Sequence, residues 1–392
     1  MSLICDHNSK LNYSENNTFS DDFFTVIDKI KPKFQIQDCV YMKFDTECNE
    51  SFVPIVTEDG ICYTFNMLHR DIIFRDNVQF FDNYHVPPFN TTDWHLENGY
   101  IPNAGLSPYP LRAYLSGVLW GLSFKIVTPK QDLDYACKNS LQGYKVLLHT
   151  PMTIPRPNQK YFRIPLDQSV VGAVQPVMIT TSETIKAYNP QRRKCYFAAE
   201  RKLQFFQDYS ASNCKLECLA NWTSDLCDCV NFFMPRDNET EICGIGSLEC
   251  MSMAESLMHM VDLSIKIEKP SDKGVKNFDC DCLPICSDLT YEVETSQTNW
   301  EWDKWLKAHR NLPRINNSHF SALTLFFKSD NFITSERNEL YGPTDFLANF
   351  GGLLGLFTGF SVLSLMEILY FLSVRIFCNI RLHGQWFGSG SD

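Results

Sequence analysis

The longest apolar stretch of the chain, at residues 346–374, predicts a membrane-spanning helix. Glu367 is its one acidic or basic side chain, and an apolar run of more than about 20 residues is long enough to cross a bilayer as a helix. Arg375 and Arg381 follow the run, and basic residues beside a span mark its cytoplasmic end. We therefore expect the C-terminus inside the cell and the preceding chain outside.

This span also carries small and polar residues that predict neighbouring helices in the membrane. Gly351, Gly355 and Gly359 recur every fourth residue, so a helix would present a flat stripe to another span. Polar groups at membrane depth usually face a bundle interior or a water path, and here they are Asn349, Thr358, Ser361, Ser364 and Glu367. A single-pass anchor is the simpler alternative, and these residues weigh against it.

Upstream of the span, the pattern of apolar positions predicts an α+β domain. Period-2 alternation indicates strands at 52–57, 60–65, 144–150, 170–181, 289–294 and 320–332. Helical spacing indicates helices at 23–30, from about Cys195 with Ala199, Leu203 and Phe206 on one face, at 254–261 and at 300–308. Residues 80–113 are rich in turn formers and predict a long connection.

Cysteine usage places this domain in an oxidising compartment. All of the 16 cysteines except Cys378 precede the span, a density and a segregation typical of disulfides in the secretory pathway. Motifs for N-glycosylation lie on the same side, at Asn12, Asn16, Asn49, Asn90, Asn221, Asn238 and Asn316. The net charge of -11 argues against nucleic acid as a partner.

The spacing of the later cysteines predicts a ladder of disulfides. Cys214 and Cys218 lie four apart in a helical context, about 6 Å from each other on one face. Cys280 and Cys282 share one side of an extended segment at about 6.6 Å. The equal spacing favours bonds from Cys214 and Cys218 to Cys282 and Cys280. A nested second set is formed by Cys227, Cys229, Cys243 and Cys250. A zinc site is the alternative for such pairs; the oxidising location favours disulfides, and we expect no metal.

The start of the chain conflicts with this topology. An extracellular domain has to be carried across a membrane, yet residues 1–40 contain no apolar run typical of a signal peptide or of a second span. We therefore expect a truncated or alternatively started copy of a longer protein.

Taken together, these features resemble the degenerin/epithelial sodium channel family, and within it the insect pickpocket-type subunits. The resemblance covers roughly residues 39–377. It rests on Gly60-Ile-Cys-Tyr-Thr-Phe-Asn66, on Lys194-Cys-Tyr-Phe197, on the ladder from Cys214 to Cys286, and on the run 350–361 that continues to Leu365-Met-Glu367.

The resemblance implies a subunit of a trimeric, amiloride-sensitive, sodium-selective cation channel of the plasma membrane, gated through its ectodomain. Its partners would be sodium ions, the lipid bilayer and homologous subunits, with no cofactor. Residues 1–343 would form a hand-like, disulfide-rich ectodomain with an antiparallel β palm and a helical thumb at about 195–288. One transmembrane pore helix at 344–376 and a cytoplasmic tail at 377–392 would follow. The alternative is a non-conducting, cysteine-rich receptor or regulatory ectodomain on a single anchor.

Site residues follow from the resemblance by position. Gly359, Phe360 and Ser361 correspond to the Gly-x-Ser selectivity segment, where the family extends the chain instead of continuing the helix. Ala348 falls at the gating position, and Asn349 takes a place that is often acidic in the family. Glu367 would be a pore-mouth carboxylate, or would only snorkel or pair near the inner interface.

The resemblance also assigns disulfides. In the thumb these are Cys195–Cys286, Cys214–Cys282, Cys218–Cys280, Cys227–Cys250 and Cys229–Cys243, and outside it Cys39–Cys48. Cys62 would pair with a cysteine just after the first span, for which Cys5 is the only candidate, and Cys137 would be left over.

Two departures from the family pattern matter. The sequence lacks the first transmembrane span and the His-Gly segment before it, so we expect these residues alone not to conduct, because the polar groups of the remaining span need shielding from lipid. Phe360 is larger than the small residue common in the middle of Gly-x-Ser. We expect no enzyme, since motifs of catalytic sites are absent and His149 and His319 lie in strand-like runs as surface or packed residues.

Overall fold

The structure, a computed structural model, describes residues 3–5, 18–20, 22–31, 33–45, 48–81, 83–105, 107–267, 280–309 and 317–384. Asn12, Asn16 and Asn316, the side chains of Cys48 and Asn49, and the predicted tail beyond residue 384 lie outside this description. The chain divides into two compact units, residues 1–181 with 188–336 and residues 182–187 with 337–392.

The alternating segments of the sequence form strands, most of them short. They are β1 (Thr18–Phe19), β2 (Gln35–Tyr41), β3 (Phe44–Asp45), β4 (Phe52–Thr57), β5 (Gly60–Phe65), β6 (Trp94–His95), β7 (Gly99–Tyr100), β8 (Leu122–Pro129), β9 (Tyr144–Val146), β10 (Phe162–Ile164), β11 (Gln168–Thr181), β12 (Ile242–Cys243), β13 (Asp288–Asn299), β14 (Ser318–Phe327) and β15 (Thr334–Arg337).

The helices alternate with these strands along the chain. They are α1 (Asp22–Ile30), α2 (Arg70–Ile73), α3 (Glu183–Lys186), α4 (Pro190–Arg193), α5 (Ala211–Cys227), α6 (Leu248–Ile267), α7 (Trp302–Ala308), α8 (Pro343–Thr358), α9 (Val362–Leu369) and α10 (Arg375–His383), with a π-helical turn at Tyr370–Val374 between the last two. Short 3-10 turns occur at Cys48–Ser51, Val118–Trp120, Lys130–Asp132, Lys138–Ser140 and Ile245–Ser247.

The largest sheet among the described residues has seven strands, in the order β13-β11-β14-β8-β2-β3, with β15 paired to β11. The β13–β11, β14–β8, β8–β2 and β2–β3 pairs are antiparallel. The expectation of an antiparallel palm is wrong for β11 and β14, which run parallel with Val170 opposite Leu323. Parallel neighbours need a long crossover, and here the chain passes through α5, α6 and β13 between the two strands.

Two clusters of buried side chains hold the first unit together. The sheet buries Ile36, Phe124, Ile126, Ile164, Val170 and Leu323 against one another. A larger cluster surrounds α5 and includes Phe74, Phe206, Tyr209, Leu216 and Leu219. Each large apolar side chain that is fully buried contributes about 1.5–3 kcal/mol, so these clusters, together with the disulfides, fix the ectodomain.

The helix predicted from about Cys195 is a wrong prediction. The described helix, α5, begins only at Ala211, after a Ser210 cap whose side chain accepts a hydrogen bond from the Asn213 N–H. The preceding chain pairs with the end of α2 instead: the Arg75 N–H donates to the Phe205 carbonyl at 2.9 Å, and the Gln207 N–H donates to Ile73 at 2.9 Å. The apolar residues there are buried by tertiary pairing, and their helical spacing is a coincidence.

Residues 195–286 contain the bridges that the resemblance assigned to a thumb. Cys195–Cys286, Cys214–Cys282, Cys218–Cys280, Cys227–Cys250 and Cys229–Cys243 are all bonded, with Cα–Cα distances from 5.0 to 5.9 Å. Asp281, between two ladder cysteines, has a positive φ of 44°, so this segment is not the regular extended strand that the spacing argument used.

Outside residues 195–286, the expected pairing of Cys5 is wrong. Cys5 bonds to Cys137, and Cys62, its expected partner, is a free thiol. The Cys62 Sγ lies 3.1 Å from the Thr57 Oγ1, inside the β4–β5 hairpin, while Lys138 reaches Asp59 at the tip of that hairpin with 3.5 Å between its Nζ and Oδ1. Cys137, the partner of Cys5, is thus next in sequence to a residue that contacts the hairpin tip. Cys39 is also disulfide-bonded.

The second unit is dominated by exposed apolar helices. Side chains such as Leu356, Phe357 and Val362 are each more than three-quarters exposed, at 79%, 79% and 78%. Among the described residues, Val362–Leu382 is the helix that is long and apolar enough to cross a membrane by length and composition. Exposed apolar surface of this extent indicates lipid or another polypeptide around these helices.

Candidate functional site

The predicted pore helix is interrupted at residues 359–361. α8 ends at Thr358, and α9 begins at Val362. Gly359 has a left-handed backbone with φ 67° and ψ 12°, a conformation that glycine adopts without the penalty a Cβ would bring. The apolar stretch therefore consists of two helical segments joined by the three residues that the resemblance assigned to ion selection.

Local hydrogen bonds define both edges of this break. At the end of α8, the Gly359 N–H donates to the Gly355 carbonyl at 3.1 Å, and the Thr358 hydroxyl donates to the Leu354 carbonyl at 2.7 Å. At the start of α9, the Ser364 N–H donates to the Ser361 Oγ at 3.3 Å, and the Ser361 N–H donates to the Ser364 Oγ at 3.4 Å. This reciprocal cap satisfies two backbone donors that a helix start leaves open.

The beginning of α8 is fixed in a similar way. Pro343 occupies the first turn, and the Gly342 N–H donates to the Asp345 Oδ2 at 3.1 Å. Proline suits the first helical position because its missing N–H has no intrahelical use there, and a carboxylate is favourable at the positive end of a helix. α8 thus has a defined start and a defined end.

The break is chemically suited to a cation. The last carbonyl groups of an α-helix have no intrahelical partner, and the C-terminus of a helix carries about half a negative charge. Both properties meet at the end of α8, beside the backbone of Gly359 and Phe360 and the hydroxyls of Thr358 and Ser361. Carbonyl and hydroxyl oxygens can replace the hydration shell of an ion where several of them surround it.

The remaining predicted site residues flank the break. Ala348 and Asn349 lie in α8, and both are exposed. Glu367 lies in α9 and is exposed, three residues after Ser364, so both side chains fall on one face of that helix. Phe360 is half-buried, unlike its exposed neighbours Gly359 and Ser361.

Comparison with known proteins identifies the family of the chain. The profile of the family described as "Amiloride-sensitive sodium channel" matches residues 2–371, which include the described ectodomain and the break. The chain belongs to the amiloride-sensitive sodium channel family.

Individual members of this family resemble the chain over most of its length. Pickpocket protein 28 of Drosophila melanogaster is 30% identical over 356 residues, 88% of this chain and 56% of the relative. Sodium channel protein Nach of the same organism is 22% identical over 341 residues, 86% of this chain and 57% of that protein. Acid-sensing ion channel 4-B of Danio rerio is 26% identical over 198 residues, 50% of this chain and 33% of that protein. The chain thus spans little more than half the length of the pickpocket and Nach relatives.

The amiloride-sensitive sodium channel family is a family of ion channels and not of enzymes. His149 and His319, the two histidines considered in the sequence, bond to neighbouring residues of the fold. The His149 Nδ1 donates to the Thr150 carbonyl at 2.8 Å, and its Nε2 lies 3.0 Å from the Thr64 Oγ1. Burial lowers the pKa of His149. The His319 Nδ1 lies 2.6 Å from the Asp167 Oδ2.

The one group of potential metal ligands found in the described part of the chain is also accounted for. Cys5, Asp134 and Cys137 have ligand atoms within 4.8 Å of one another, but the two sulfurs form a disulfide. Thiolates are the form in which cysteine binds a metal, so this group is structural.

The described sequon residues are accessible. Asn90, Asn221 and Asn238 are all exposed, and Asn221 lies on the outer face of α5, where a glycan would not disturb the core.

The sequence analysis missed the capped start of α8. Its signal is a recognisable helix-start pattern, in which Gly342 is followed by Pro343 and, three residues after the glycine, by Asp345.

Proposed function

We propose that the chain is a subunit of a trimeric, amiloride-sensitive, sodium-selective cation channel of the plasma membrane, with its ectodomain outside the cell and its C-terminus in the cytoplasm. The observation that carries the proposal is the capped break at Gly359–Ser361, within the apolar helices of a chain that belongs to a sodium channel family. The names of the relatives support the sodium preference, since Nach is itself named a sodium channel protein.

In this proposal the break is the selectivity filter. Gly359 lets the end of α8 turn without a side chain in the path, so that backbone oxygens approach the pore axis. Ser361 adds a hydroxyl and at the same time caps α9. The half-buried Phe360 packs sideways against a neighbouring helix and does not face the ion.

Gating would act on α8. Ala348 and Asn349 lie about two and a half turns before the end of this helix, since a turn has 3.6 residues, and a bulky side chain at Ala348 would hold neighbouring helices apart. The disulfide-bonded thumb supplies a rigid lever, because cross-linked elements move as one body. Glu367 in α9 would act as a pore-mouth carboxylate.

The test is voltage-clamp recording from cells that express the chain, alone and together with pickpocket protein 28. Under bi-ionic conditions, Ser361→Leu and Gly359→Ala should shift the sodium-to-potassium permeability ratio or abolish the amiloride-sensitive current. Phe360→Ala is the matched control and should change gating or assembly more than ion choice. Surface biotinylation shows whether each variant reaches the membrane.

Two outcomes contradict the proposal. Unchanged permeability ratios and currents in the Gly359 and Ser361 variants would place the filter elsewhere. Normal surface expression together with the relative, but without current, would favour the non-conducting receptor on a single anchor.

A further inference from the structure

A small aromatic cavity lies in the first unit, distant in sequence from the pore segment. Its volume is about 50 Å³, and six of its fifteen lining residues are phenylalanines, among them Phe24 of α1, Phe80 and Phe81, and Phe232 and Phe233 beyond α5. Such rings are apolar, so they offer few hydrogen-bond partners to a polar atom that faces the cavity.

Gln79, Tyr84 and His85 are the polar residues of the lining. The Tyr84 hydroxyl donates to Asp28 at 2.9 Å, whereas His85 has a buried atom that lacks a partner among the described residues. Its side chain lines the cavity, the residue is only 6% exposed, and its Nδ1 has no hydrogen-bond partner within the part of the chain that the structure describes. A buried polar atom without a partner is unfavourable, and most buried polar atoms in proteins have one. The orphan nitrogen therefore points to a ligand group that completes it.

The His85 ring is held in place by its surroundings. Its centroid lies 5.8 Å from that of Phe74 and 6.2 Å from that of Phe80, both edge to face. The His85 N–H donates to the Pro54 carbonyl at 3.0 Å, and its carbonyl accepts from the Arg70 N–H at 3.0 Å. The nitrogen is thus presented by a fixed residue and not by a mobile side chain.

The chemistry of the nitrogen selects a hydroxyl. Burial, assisted by the nearby charge of Arg70, lowers the pKa of His85 to about 3, so the ring is neutral at physiological pH. In a neutral imidazole, the Nδ1 either donates or accepts, depending on the tautomer. A hydroxyl group can do both, and it therefore fits either form.

A second, larger pocket borders the cavity. It has a volume of about 320 Å³, shares Phe74, Val78 and Phe80 with the cavity, and is lined otherwise by charged side chains such as Arg70 and Arg75. The aromatic cavity has room for a hydroxyl and a few carbon atoms, and the neighbouring pocket has room for the rest of a small molecule.

We propose that this cavity is a binding site for a small apolar molecule that carries a hydroxyl group, such as a phenol or a short alcohol. The hydroxyl bonds to the His85 Nδ1, and the apolar body lies between the phenylalanine rings. The site is independent of ion selection, since all of its residues belong to the first unit.

The experiment uses 19F NMR titration of the full chain in lipid nanodiscs, with 4-fluorophenol and fluorobenzene as probes. Empty nanodiscs correct for partition into lipid, and only saturable binding counts. The two probes share one ring and differ in the hydroxyl. We expect 4-fluorophenol to bind about tenfold more tightly than fluorobenzene, as a hydrogen bond to an otherwise unpaired buried atom predicts.

His85→Phe keeps an aromatic ring and removes the nitrogen, so it should bring the two affinities close together. His259→Gln is the matched control, because His259 lies on α6 with a side chain that is 61% exposed, and it should leave the preference unchanged. Disulfide mapping and gel filtration show whether His85→Phe has folded. The comparison of the two probes on the native chain needs no variant.

Three results would overturn the proposal. Without saturable binding of 4-fluorophenol, the cavity holds water only. Equal affinities of the two probes would mean that the hydroxyl has no partner. A preference that survives in His85→Phe would place the binding elsewhere.

Discussion

Acidification should destabilise the first unit through His85, by an amount that can be worked out from its surroundings. The pKa of this residue is about 3 in the folded protein, against an ordinary value of 6.5. Between these two values the unfolded chain binds more protons than the folded chain, so stability present at neutral pH is lost as the pH falls below about 6.5. From pH 7 to pH 5, this one residue accounts for a loss of roughly 2 kcal/mol.

The assay is denaturant unfolding of the full chain in detergent, followed by tryptophan fluorescence at pH 7 and at pH 5. His85→Phe cannot take up the proton, so its loss of stability between the two pH values should be about 2 kcal/mol smaller than that of the native protein. His149, whose pKa burial also lowers, is present in both proteins and cancels from the comparison. Equal losses in the native chain and the variant would refute the reasoning, and His259→Gln should behave like the native chain.

Other substitutions test other parts of the structure. Gly359→Ala should destabilise the interrupted helix by about 1–2 kcal/mol, because residue 359 has a left-handed backbone. Gly352→Ala, within α8, should instead stabilise its helix by about 1 kcal/mol. Amide hydrogen exchange at residues 360–363 should slow only in Gly359→Ala, and unchanged exchange in that variant would count against a break held by glycine. After unfolding without reduction, Cys62 should react with iodoacetamide because its thiol is free, and a peptide map that finds it in a disulfide would contradict the structure. Asn213→Ala should destabilise the first unit by about 2 kcal/mol, because its side chain bonds two buried backbone groups. Asn221→Ala, on the exposed face of the same helix, should change the stability by less than about 0.5 kcal/mol, and equal shifts of the unfolding midpoint would disprove this assignment.

Local patterns predicted the parts of the fold that local forces decide. The β4–β5 hairpin follows from period-2 alternation on either side of a short turn, which ends at Gly60 with a φ of 96°. α6 follows from helical spacing, although its bounds do not. α5 was expected only as the helical context of Cys214 and Cys218. The segment after Cys195 was predicted wrongly, because its burial depends on pairing with residues 73–75, far away in sequence.

At the candidate site, too, the sequence pattern predicted only the features that neighbouring residues determine. The apolar pattern alone predicts a continuous helix through Gly359, and only the resemblance to a family indicated a break there. The partner of Cys5 is Cys137, 132 residues away in sequence, and the spacing of cysteines carries no information about so distant a pair. The aromatic cavity draws residues from α1, from the chain after α2 and from the chain after α5, so no single stretch of sequence reveals it.

The nesting of the disulfides between residues 195 and 286 has a consequence for proteolysis. Cys195–Cys286 is the outermost bond, and Cys214–Cys282, Cys218–Cys280, Cys227–Cys250 and Cys229–Cys243 all lie within it. A single cut by a protease anywhere between residues 195 and 286 therefore opens a loop without releasing a fragment, because each side of the cut keeps one end of the outer bond. A chain nicked in this region would migrate as an intact chain until it is reduced, and its two halves would stay mechanically connected.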